Sequence, residues 1–535
     1  MDRTASIDSE VDLLVLGGGI TGAALAYEAS SRGYETLLLE QNDFGSGTSA
    51  ATGKLIHGGL RYLKKFEFGL VRESLRERRI LSKIAPNFVY PFPTILPNPG
   101  IVERMGLMAY DLLSFDRNRG GNRQRLPGTR RIKGEAARAL APNSLENPAS
   151  DVLRYFDCLC ISPERLTLTF LKSAMNYGAR AANYVEALRF LVKDNRVIGA
   201  IVKDKMSGKE HEVRARTVVN ATGPWTQTLL NRSLEQSVPD PQTRSEGIYL
   251  VTRKLSEEMY LFVGRHGHFS FAPWNNHSLI GPTDTPYHGE VSKWAVSEQS
   301  INRFLEVINA TADLKTPLRR EDVLFAYGGL RPLAETGEDT YNASRRSDLH
   351  DHADDGMEGL ITAAGGKYTT SRHFAEEIFS RVVKKVKKKA GPPLSEHQLL
   401  FGCSENVEDE IQELRQWAGL DERTADFLVR HYGTEARSLV SEAHGPNALG
   451  PINERGEILA QVIFAVRHEM ALNVDDVLFR RTDIGWFGHP GKELMDQIID
   501  IMGAELGWSA REANEQRNRA EGHYRFSDKP GDDLQ

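Results

Sequence analysis

The 535-residue sequence has few cysteines, no long apolar run and no excess of basic residues. Three cysteines are too few for a disulfide framework, which indicates a reducing compartment. The longest early uncharged run, Leu13–Tyr27, contains four glycines and is shorter than the roughly 18 residues that cross a bilayer. The first ten residues lack the basic start of a signal peptide, and a net charge of −6 argues against binding to nucleic acid. We therefore expect a cytoplasmic protein without a signal peptide, a transmembrane helix or a nucleic-acid partner.

What the sequence does contain is a strand–turn–helix–strand unit near its start. The apolar run Val11–Leu16 predicts a buried strand, Gly17–Gly22 predicts a tight turn into a helix, and Thr36–Leu39 predicts a second strand. Amide groups at the start of that helix favour a dinucleotide pyrophosphate, and Glu40 would accept hydrogen bonds from ribose hydroxyls. The residues expected at the dinucleotide are Gly17, Gly19, Ile20, Thr21, Gly22, Glu40 and Gln41.

This unit alone does not distinguish FAD from NAD, but a later segment favours FAD. Residues Ala187–Val202 and Glu210–Val213 predict short strands, and Thr217–Gly223 predicts a strand whose small residues return to the cofactor. Such a sheet excursion suits the large FAD-binding fold. We predict an α/β protein with a discontinuous, doubly wound, Rossmann-like FAD-binding domain, a sheet-rich substrate cap and an all-helical C-terminal domain. The predicted ranges are 1–85, 150–235 and 320–392 for the FAD-binding domain, 86–149 and 236–319 for the cap, 393–524 for the helical domain, and 525–535 for a disordered tail.

Four cations lie in or beside glycine-rich, loop-like sequence: Arg61, Arg331, Arg345 and Lys367. The planar fork of an arginine matches phosphate oxygens, and a lysine adds a point charge. Three or four such groups that converge on one pocket would suit a small phosphate ester as substrate.

The segment Lys54–Leu63, which reads KLIHGGLRYL, closely resembles the signature of FAD-dependent glycerol-3-phosphate dehydrogenases. Later blocks of that family are matched in the same order by Ala221–Trp225, Leu279–Asp284, Gly328–Leu333, Gly365–Thr370 and, in the C-terminal domain, Phe479–Thr482. The resemblance implies FAD as cofactor and oxidation of sn-glycerol 3-phosphate to dihydroxyacetone phosphate, with hydride transfer to flavin N5. It also implies that the electrons pass on to a quinone.

The same resemblance assigns site residues. Arg331, Arg345 and Lys367 would hold the substrate phosphate, with Arg61 and Tyr62 beside them. The residues that it implies along the cofactor are Thr48, Ser49, Lys54, Leu55, His57, Gly58, Val185, Ala221, Thr222, Gly223, Trp225, Gly366 and Thr369, together with Arg331 and Lys367.

Two stretches depart from the family pattern. A stretch that is usually rich in serine contains Ala50, Ala51 and Gly53, changes that backbone contacts to FAD would survive. A Lys-Gly-x-His pattern is replaced by Glu246–Tyr249, so that a tyrosine stands where the family has a histidine. Oxidation of an alcohol needs a base, and the ordinary pKa of tyrosine, about 10, suits that task poorly. The alternatives for the base are an activated Tyr249, or one of three histidines, namely His57, His266 and His268.

Other functions also remain open at this point. They are an oxidase of the same fold that passes electrons to oxygen, a same-fold FAD oxidoreductase acting on another hydroxy or amino substrate, and a flavin-binding partner without catalysis. Among partners, the lysines of Lys384–Lys389 would suit a peripheral contact with an anionic membrane surface, at the inner face of the cytoplasmic membrane, and a homo-oligomer is compatible with the sequence. We expect no metal site, because Cys158 and Cys160 have no second pair and because His350 and His352 lie in an acidic loop.

Overall fold

The computed structural model describes residues 7, 10–119, 124–234, 244–264, 267–332, 347–353, 355–443 and 448–528, and only the backbone of residues 61, 64, 65, 234 and 332. The strands are β1 (Val11–Leu16), β2 (Thr36–Leu39), β3 (Leu55–Ile56), β4 (Val89–Pro97), β5 (Arg130–Lys133), β6 (Asp151–Cys160), β7 (Arg180–Ala182), β8 (Val185–Lys193), β9 (Arg196–Asp204), β10 (Glu210–Asn220), β11 (Arg244–Arg253), β12 (Met259–Gly264), β13 (Gly267–Trp274), β14 (His277–Gly281), β15 (Thr285–Tyr287), β16 (Val323–Pro332), β17 (Ser347–Asp351) and β18 (Leu360–Gly365). The α-helices are α1 (Ile20–Ser30), α2 (Phe68–Ile84), α3 (Ile101–Leu113), α4 (Glu135–Arg138), α5 (Pro163–Asn176), α6 (Thr226–Leu234), α7 (Glu298–Thr311), α8 (Ser371–Val386), α9 (Val407–Ala418), α10 (Glu422–Tyr432), α11 (Ala436–Ser441), α12 (Ala460–Glu469), α13 (Val474–Asp476), α14 (Lys492–Leu506) and α15 (Ala510–Gly522). A π-helix spans Val477–Arg481, and 3₁₀ helices span Leu60–Lys65, Gly223–Trp225, Val291–Lys293, Arg320–Asp322, Tyr368–Thr370, Gly433–Glu435 and Ile484–Phe487.

The first sheet carries the dinucleotide motif. Strands β18, β10, β1, β2 and β7 are parallel neighbours in that order, and β17 pairs antiparallel with β18. Every residue of β1 is buried, as expected of a parallel strand that is covered on both faces. Helices α1, α5 and α8 share one hydrophobic core with one face of this sheet. Strands β8 and β9 extend the N-terminal half of β10 as an antiparallel excursion, and β10 then returns to the sheet centre.

The second sheet forms the opposite wall of the molecule. Its order is β16-β11-β14-β13-β12-β4-β6-β3, with β15 beside β11 and β5 beside β6. Side chains alternate across β11, as they must in a strand. Ile248 and Leu250 join the core that contains α7, whereas Tyr249 and Val251 join a core that is shared with the C-terminal helices.

The C-terminal part of the chain, from α9 onward, is helical and packs against the second sheet. Helices α9 to α12 enclose a core of their own, in which Leu439 and Leu428 are fully buried. The segment after α13 reaches the sheet through aromatic rings: Phe479 stacks on Phe325 at 5.6 Å, and Trp486 meets Tyr327 edge-on at 4.7 Å.

The predicted fold class is confirmed, and the strand pairing adds detail to the predicted ranges. Three strands inside the ranges assigned to the FAD-binding domain, β3, β6 and β16, pair in the second sheet. Strands β6 and β16 each form a long antiparallel ladder with a cap strand, β4 and β11 respectively, and β3 pairs with β6. At the predicted tail, Ser527 bridges to Ser297 and residues 529–535 lie outside the described part. Among the described residues, no helix has the length and apolar character needed to cross a membrane.

Candidate active site

A cavity of about 1750 Å³ lies between the two sheets. On one side it is lined by the carboxyl ends of β1, β2, β10 and β18, where ligands of open parallel sheets bind, and on the other by β11 to β14. Its volume exceeds the roughly 300–1,000 Å³ of a pocket for one small ligand. The cavity therefore has room for a dinucleotide and a substrate together.

The glycine turn is built for close approach at one end of this cavity. A Cβ atom at Gly17 would lie 2.4 Å from the carbonyl oxygen of Ala221, and one at Gly22 would lie 1.9 Å from the carbonyl oxygen of Gly17. The turn leads into α1, where the amide of Ile20 donates a hydrogen bond to Ser49 Oγ at 2.9 Å. The backbone amides at the start of α1 and the helix dipole make this N-terminus a suitable binding site for a pyrophosphate.

Glu40 stands at the end of β2, beside the same turn. Its carboxylate accepts hydrogen bonds from the amide of Gly18 at 2.6 Å and from the amide of Asn42 at 2.8 Å. Burial raises the pKa of Glu40, against the effect of these two amide bonds. The carboxylate lines the cavity next to Gln41, where the ribose of a dinucleotide bound at the turn would lie.

Most of the expected site residues line this cavity. They are Gly17, Gly19, Ile20, Thr21, Glu40, Gln41, Thr48, Ser49, Leu55, His57, Tyr62, Val185, Ala221, Thr222, Gly223, Trp225, Tyr249, Arg331, Gly366, Lys367 and Thr369. The side chain of Arg61 and the whole of Arg345 lie outside the described part of the chain, as does His266.

Three expected residues do not line the cavity. Gly22 serves the close packing of α1 on the turn. Gly58 serves packing too, since a Cβ there would lie 2.5 Å from Leu75. Lys54 is fully buried, and its Nζ forms an ion pair with Glu164 at 3.0 Å and lies 4.3 Å from the Trp274 ring centroid. The side chain of Lys54 is therefore paired away from the cavity, and the expected course of its backbone along the cofactor stays a prediction.

Two cations from different parts of the chain, Arg331 and Lys367, line the cavity. The guanidinium of Arg331, on β16, donates a hydrogen bond to the carbonyl oxygen of Thr283 at 3.1 Å and lies 3.7 Å from the carboxylate of Asp284. It crosses directly over Gly247 on the neighbouring strand, where a Cβ atom would lie 1.8 Å from Nη2. The Nζ of Lys367 donates to Ser74 Oγ at 3.1 Å and lies 3.9 Å from the Tyr62 ring centroid. Both cations line the cavity and together suit an anionic group.

Tyr249 lines the cavity on β11, on the same strand face as Gly247. Its ring stacks on that of Tyr327 at 5.3 Å, and its hydroxyl oxygen would lie 3.1 Å from a Cβ atom at Gly53. His57 and His268 also line the cavity, and the amide of His57 donates to Thr369 Oγ1 at 3.3 Å. The structure therefore keeps three of the four sequence alternatives for a base within reach of one pocket.

Two groups at the cavity were not predicted. Asp157, on β6, lines the wall and accepts hydrogen bonds from Arg78 at 2.6 Å, from the hydroxyl of Tyr110 at 2.7 Å and from the amide of Gly58. The other is an apolar face on α3, which rims the cavity with Ile101, Val102 and Met105. The apolar spacing within residues 101–113 is the signal that could have found this helix, whereas Asp157 has no signal in its own strand.

Comparisons with known proteins agree with this geometry. Residues 12–372 match the family described as FAD dependent oxidoreductase, and residues 394–513 match the family described as the C-terminal domain of alpha-glycerophosphate oxidase. The chain is 33% identical over 538 residues to glycerol-3-phosphate dehydrogenase of Synechocystis sp., with 94% of each protein covered. It is 31% identical over 516 residues to glycerol-3-phosphate dehydrogenase of Mycobacterium leprae, with 94% of this chain and 86% of that protein covered.

Among solved structures, the fold is similar to that of glycerol-3-phosphate dehydrogenase from Bacillus halodurans complexed with FAD. The TM-score is 0.76 at 24% identity, and the match covers 100% of this chain and 98% of the other.

Proposed function

Because this chain belongs to the FAD dependent oxidoreductases and, among them, to the FAD-dependent glycerol-3-phosphate dehydrogenases, we propose that it oxidises sn-glycerol 3-phosphate to dihydroxyacetone phosphate. The observation that carries the proposal is that two cations, Arg331 and Lys367, line the same cavity as the dinucleotide turn. FAD supplies the hydride acceptor when it is bound.

The substrate phosphate would be held by these two cations. A phosphate monoester is largely dianionic near neutral pH, so it gains from two positive groups more than a neutral alcohol does. Arg331 is fixed by its hydrogen bond to Thr283, and Lys367 by its bond to Ser74, which reduces the cost of ordering either side chain on binding. We include Arg345, and with it Arg61, as further members of the phosphate site on the strength of the family resemblance.

The hydroxyl proton would pass to one of three lining side chains, Tyr249, His57 or His268. Histidine is tuned for this near neutral pH, whereas tyrosine requires activation by nearby cations. Three variants decide among them: Tyr249→Phe, His57→Gln and His268→Gln. Loss of the base should remove the controlling ionisation from the pH profile of kcat in one variant only, and a profile that is unchanged in all three would contradict the assignment.

The test of the proposed reaction is an anaerobic titration of the purified holoprotein with sn-glycerol 3-phosphate, followed by visible flavin absorbance. Bleaching at modest substrate concentrations is the expected result, with glycerol as the control that lacks the phosphate. A flavin that stays oxidised with sn-glycerol 3-phosphate but is reduced by another hydroxy or amino compound would refute the substrate assignment.

We further propose that the electrons leave to a quinone at a membrane surface. The support is the apolar face of α3, where Ile101, Val102, Met105, Met108 and Leu112 are each between 64% and 74% exposed. Phe66 and Phe68 add exposed aromatic rings at the same rim of the cavity. An apolar electron acceptor dissolved in a bilayer could enter the cavity past this face.

The lysine run supports membrane contact less well than the helix does. Lys385 pairs with Asp351 at 2.7 Å and with Glu358 at 3.1 Å, and Lys388 pairs with Asp12 at 2.6 Å. Charges that are already paired within the protein gain less from anionic lipid. Reoxidation of the reduced flavin in stopped flow separates the acceptors: quinone should restore absorbance at the rate of turnover, and equally fast recovery with oxygen alone would identify an oxidase.

A further inference from the structure

The C-terminal helical domain contacts the loop that follows β2 through a buried ionic cluster. Asp43 lies in that loop, between the cavity-lining residues Asn42 and Ser46. Its carboxylate accepts hydrogen bonds from Nη1 and Nη2 of Arg481, each at 2.8 Å, and from Nε of Arg480 at 2.5 Å. Both arginines come from the π-helix Val477–Arg481. A bidentate guanidinium–carboxylate pair fixes orientation as well as distance.

The charges in this cluster are buried, and those of Asp43 and Arg481 are almost completely shielded from water. Asp43 and Arg481 are 1% and 0% exposed. Burial raises the pKa of Asp43, but the charges of Arg481 and Arg480 outweigh that effect and hold its pKa below the ordinary value. Arg480 also donates to Asp476 at 2.6 Å, and Arg481 donates to the carbonyl oxygen of Glu469 at 2.8 Å. Removal of one partner would therefore leave a buried charge unpaired.

The Asp43 loop is in turn fastened to the dinucleotide turn. The amide of Gly45 donates to the carbonyl oxygen of Gly18 at 2.9 Å, and the carboxylate of Glu40 accepts from the amide of Gly18 at 2.6 Å. The amide of Tyr184 donates to the carbonyl oxygen of Asn42 at 2.9 Å, which ties the loop to the start of β8. The position of Asp43 thus sets the position of the groups that face the cavity at this end.

The helical domain has a separate means of staying attached. Phe479 and Trp486 pack against Phe325 and Tyr327 in an aromatic cluster that does not include Asp43. Loss of the ionic contact is therefore expected to loosen the loop without releasing the domain.

We propose that Arg481, with Arg480, is a positioning group for the cofactor: the C-terminal domain holds Asp43 and thereby fixes the loop that presents Glu40 and the glycine turn to the adenosine half of FAD. The proposal rests on FAD occupying the cavity and is independent of the substrate. In this proposal the helical domain contributes to cofactor binding although Arg481 lies 438 residues after Asp43 in the sequence.

The test compares FAD affinity and loop protection in Arg481→Lys, Arg481→Met and Asp43→Asn, with Leu439→Ala as the matched control. Leu439 is fully buried among α9 to α12, so its truncation destabilises the same domain without touching the loop. The dissociation constant of FAD is measured by titration of the apoprotein, and hydrogen exchange is followed at the amides of Gly18 and Gly45 in the same apoprotein.

The Kd for FAD is expected to rise about tenfold in Arg481→Lys and about a hundredfold in Arg481→Met, with faster exchange at both amides, because a displacement of about 1 Å is costly in a fitted site. Leu439→Ala should lower the melting temperature and leave the FAD Kd within about twofold of the wild type. If Arg481→Met does not fold, Arg481→Lys and Asp43→Asn decide.

An FAD Kd within twofold of wild type in the folded Arg481 and Asp43 variants would overturn the proposal, and so would an equal rise in Leu439→Ala. Wild-type protein that binds no FAD would overturn it as well. Tight FAD binding without bleaching by sn-glycerol 3-phosphate would refute the proposed substrate alone and leave this test intact.

Discussion

Replacement of Gly247 by alanine tests the proposed phosphate site through a residue that does not itself line the cavity. The φ angle of Gly247 is not in the left-handed region, so alanine is compatible with the β11 backbone. Its Cβ would nevertheless lie 1.8 Å from Nη2 and 2.3 Å from Cζ of Arg331. To reach an ordinary carbon contact of about 3.5 Å, the guanidinium must move by roughly 1.7 Å from its place in the cavity wall.

A displacement of this size predicts a large kinetic effect. Misplacement by about 1 Å costs on the order of a hundredfold, or about 2.7 kcal/mol of transition-state stabilisation. We expect Gly247→Ala to lower kcat/KM for sn-glycerol 3-phosphate by about that factor, to raise its KM, and to resemble Arg331→Ala in both respects. The assay is steady-state turnover with an artificial electron acceptor, alongside the Kd for FAD, which should not change.

The control is Gly503→Ala in α14, where the new Cβ would make an ordinary contact at 3.6 Å with Trp508, far along the chain from the cavity. It should leave kcat/KM unaltered. If Gly247→Ala retains kcat/KM within about threefold of wild type while Arg331→Ala loses it, then the close approach over Gly247 does not set the position of the phosphate ligand.

Three further predictions concern stability and surface contact. Glu164→Gln leaves the buried side chain of Lys54 without its carboxylate partner and is expected to lower the free energy of unfolding by about 3–5 kcal/mol. Arg214→Gln breaks an exposed ion pair and should change that free energy by less than about 1 kcal/mol. Urea titrations that give the two variants similar losses of stability would refute the prediction. Burial raises the pKa of Glu469, but Arg165 and Lys172 outweigh that effect and lower the pKa to about 2. The ionised carboxylate therefore stabilises the fold above pH 4.5, and this contribution is lost as the pH falls from 4.5 toward 2. In an acid unfolding experiment, Glu469→Gln should lack the loss of stability between pH 4.5 and 2. Met108→Glu, on the exposed apolar face of α3, should weaken sedimentation of the protein with phosphatidylglycerol-containing vesicles. Val192→Glu, at a 50% exposed site on β8, should leave sedimentation unchanged. Equal vesicle binding by the two variants would argue against membrane contact through the α3 face.

The fold was predictable where its signals are local. Val11–Leu16, the glycine turn and Thr36–Leu39 follow one another within thirty residues, and the structure has the strand–helix–strand unit at those positions. The pairing of β6 and β16 in the second sheet was not predictable in the same way, because a strand sequence does not say which of two sheets will accept it. That choice depends on partners such as β4 and β11, which lie far away along the chain.

The candidate site divides along similar lines. Glycines and cations within recognisable blocks, such as Gly17 and Arg331, line the cavity as expected, because each block carries its own local geometry. The ion pair of Lys54 was not predictable, because its block says nothing of Glu164, the buried partner 110 residues away along the chain. Asp43 and Arg481 are separated by 438 residues, and neither gives any local sign of the other.

The two departures from the family pattern lie against each other in the structure. Tyr249 brings its hydroxyl to the segment Ala50–Gly53, and a Cβ atom at Gly53 would lie 3.1 Å from that oxygen, closer than an ordinary contact. A serine at residue 53 would therefore crowd the tyrosine, whereas glycine accommodates it. A second glycine, Gly281, leaves room for the other edge of the ring, since a Cβ there would lie 2.4 Å from Tyr249 Cδ1. The tyrosine at residue 249 and the glycine at residue 53 are far apart in the sequence but form one local change in the cavity wall. This contact argues that Tyr249 is accommodated by its neighbours and is not an isolated substitution.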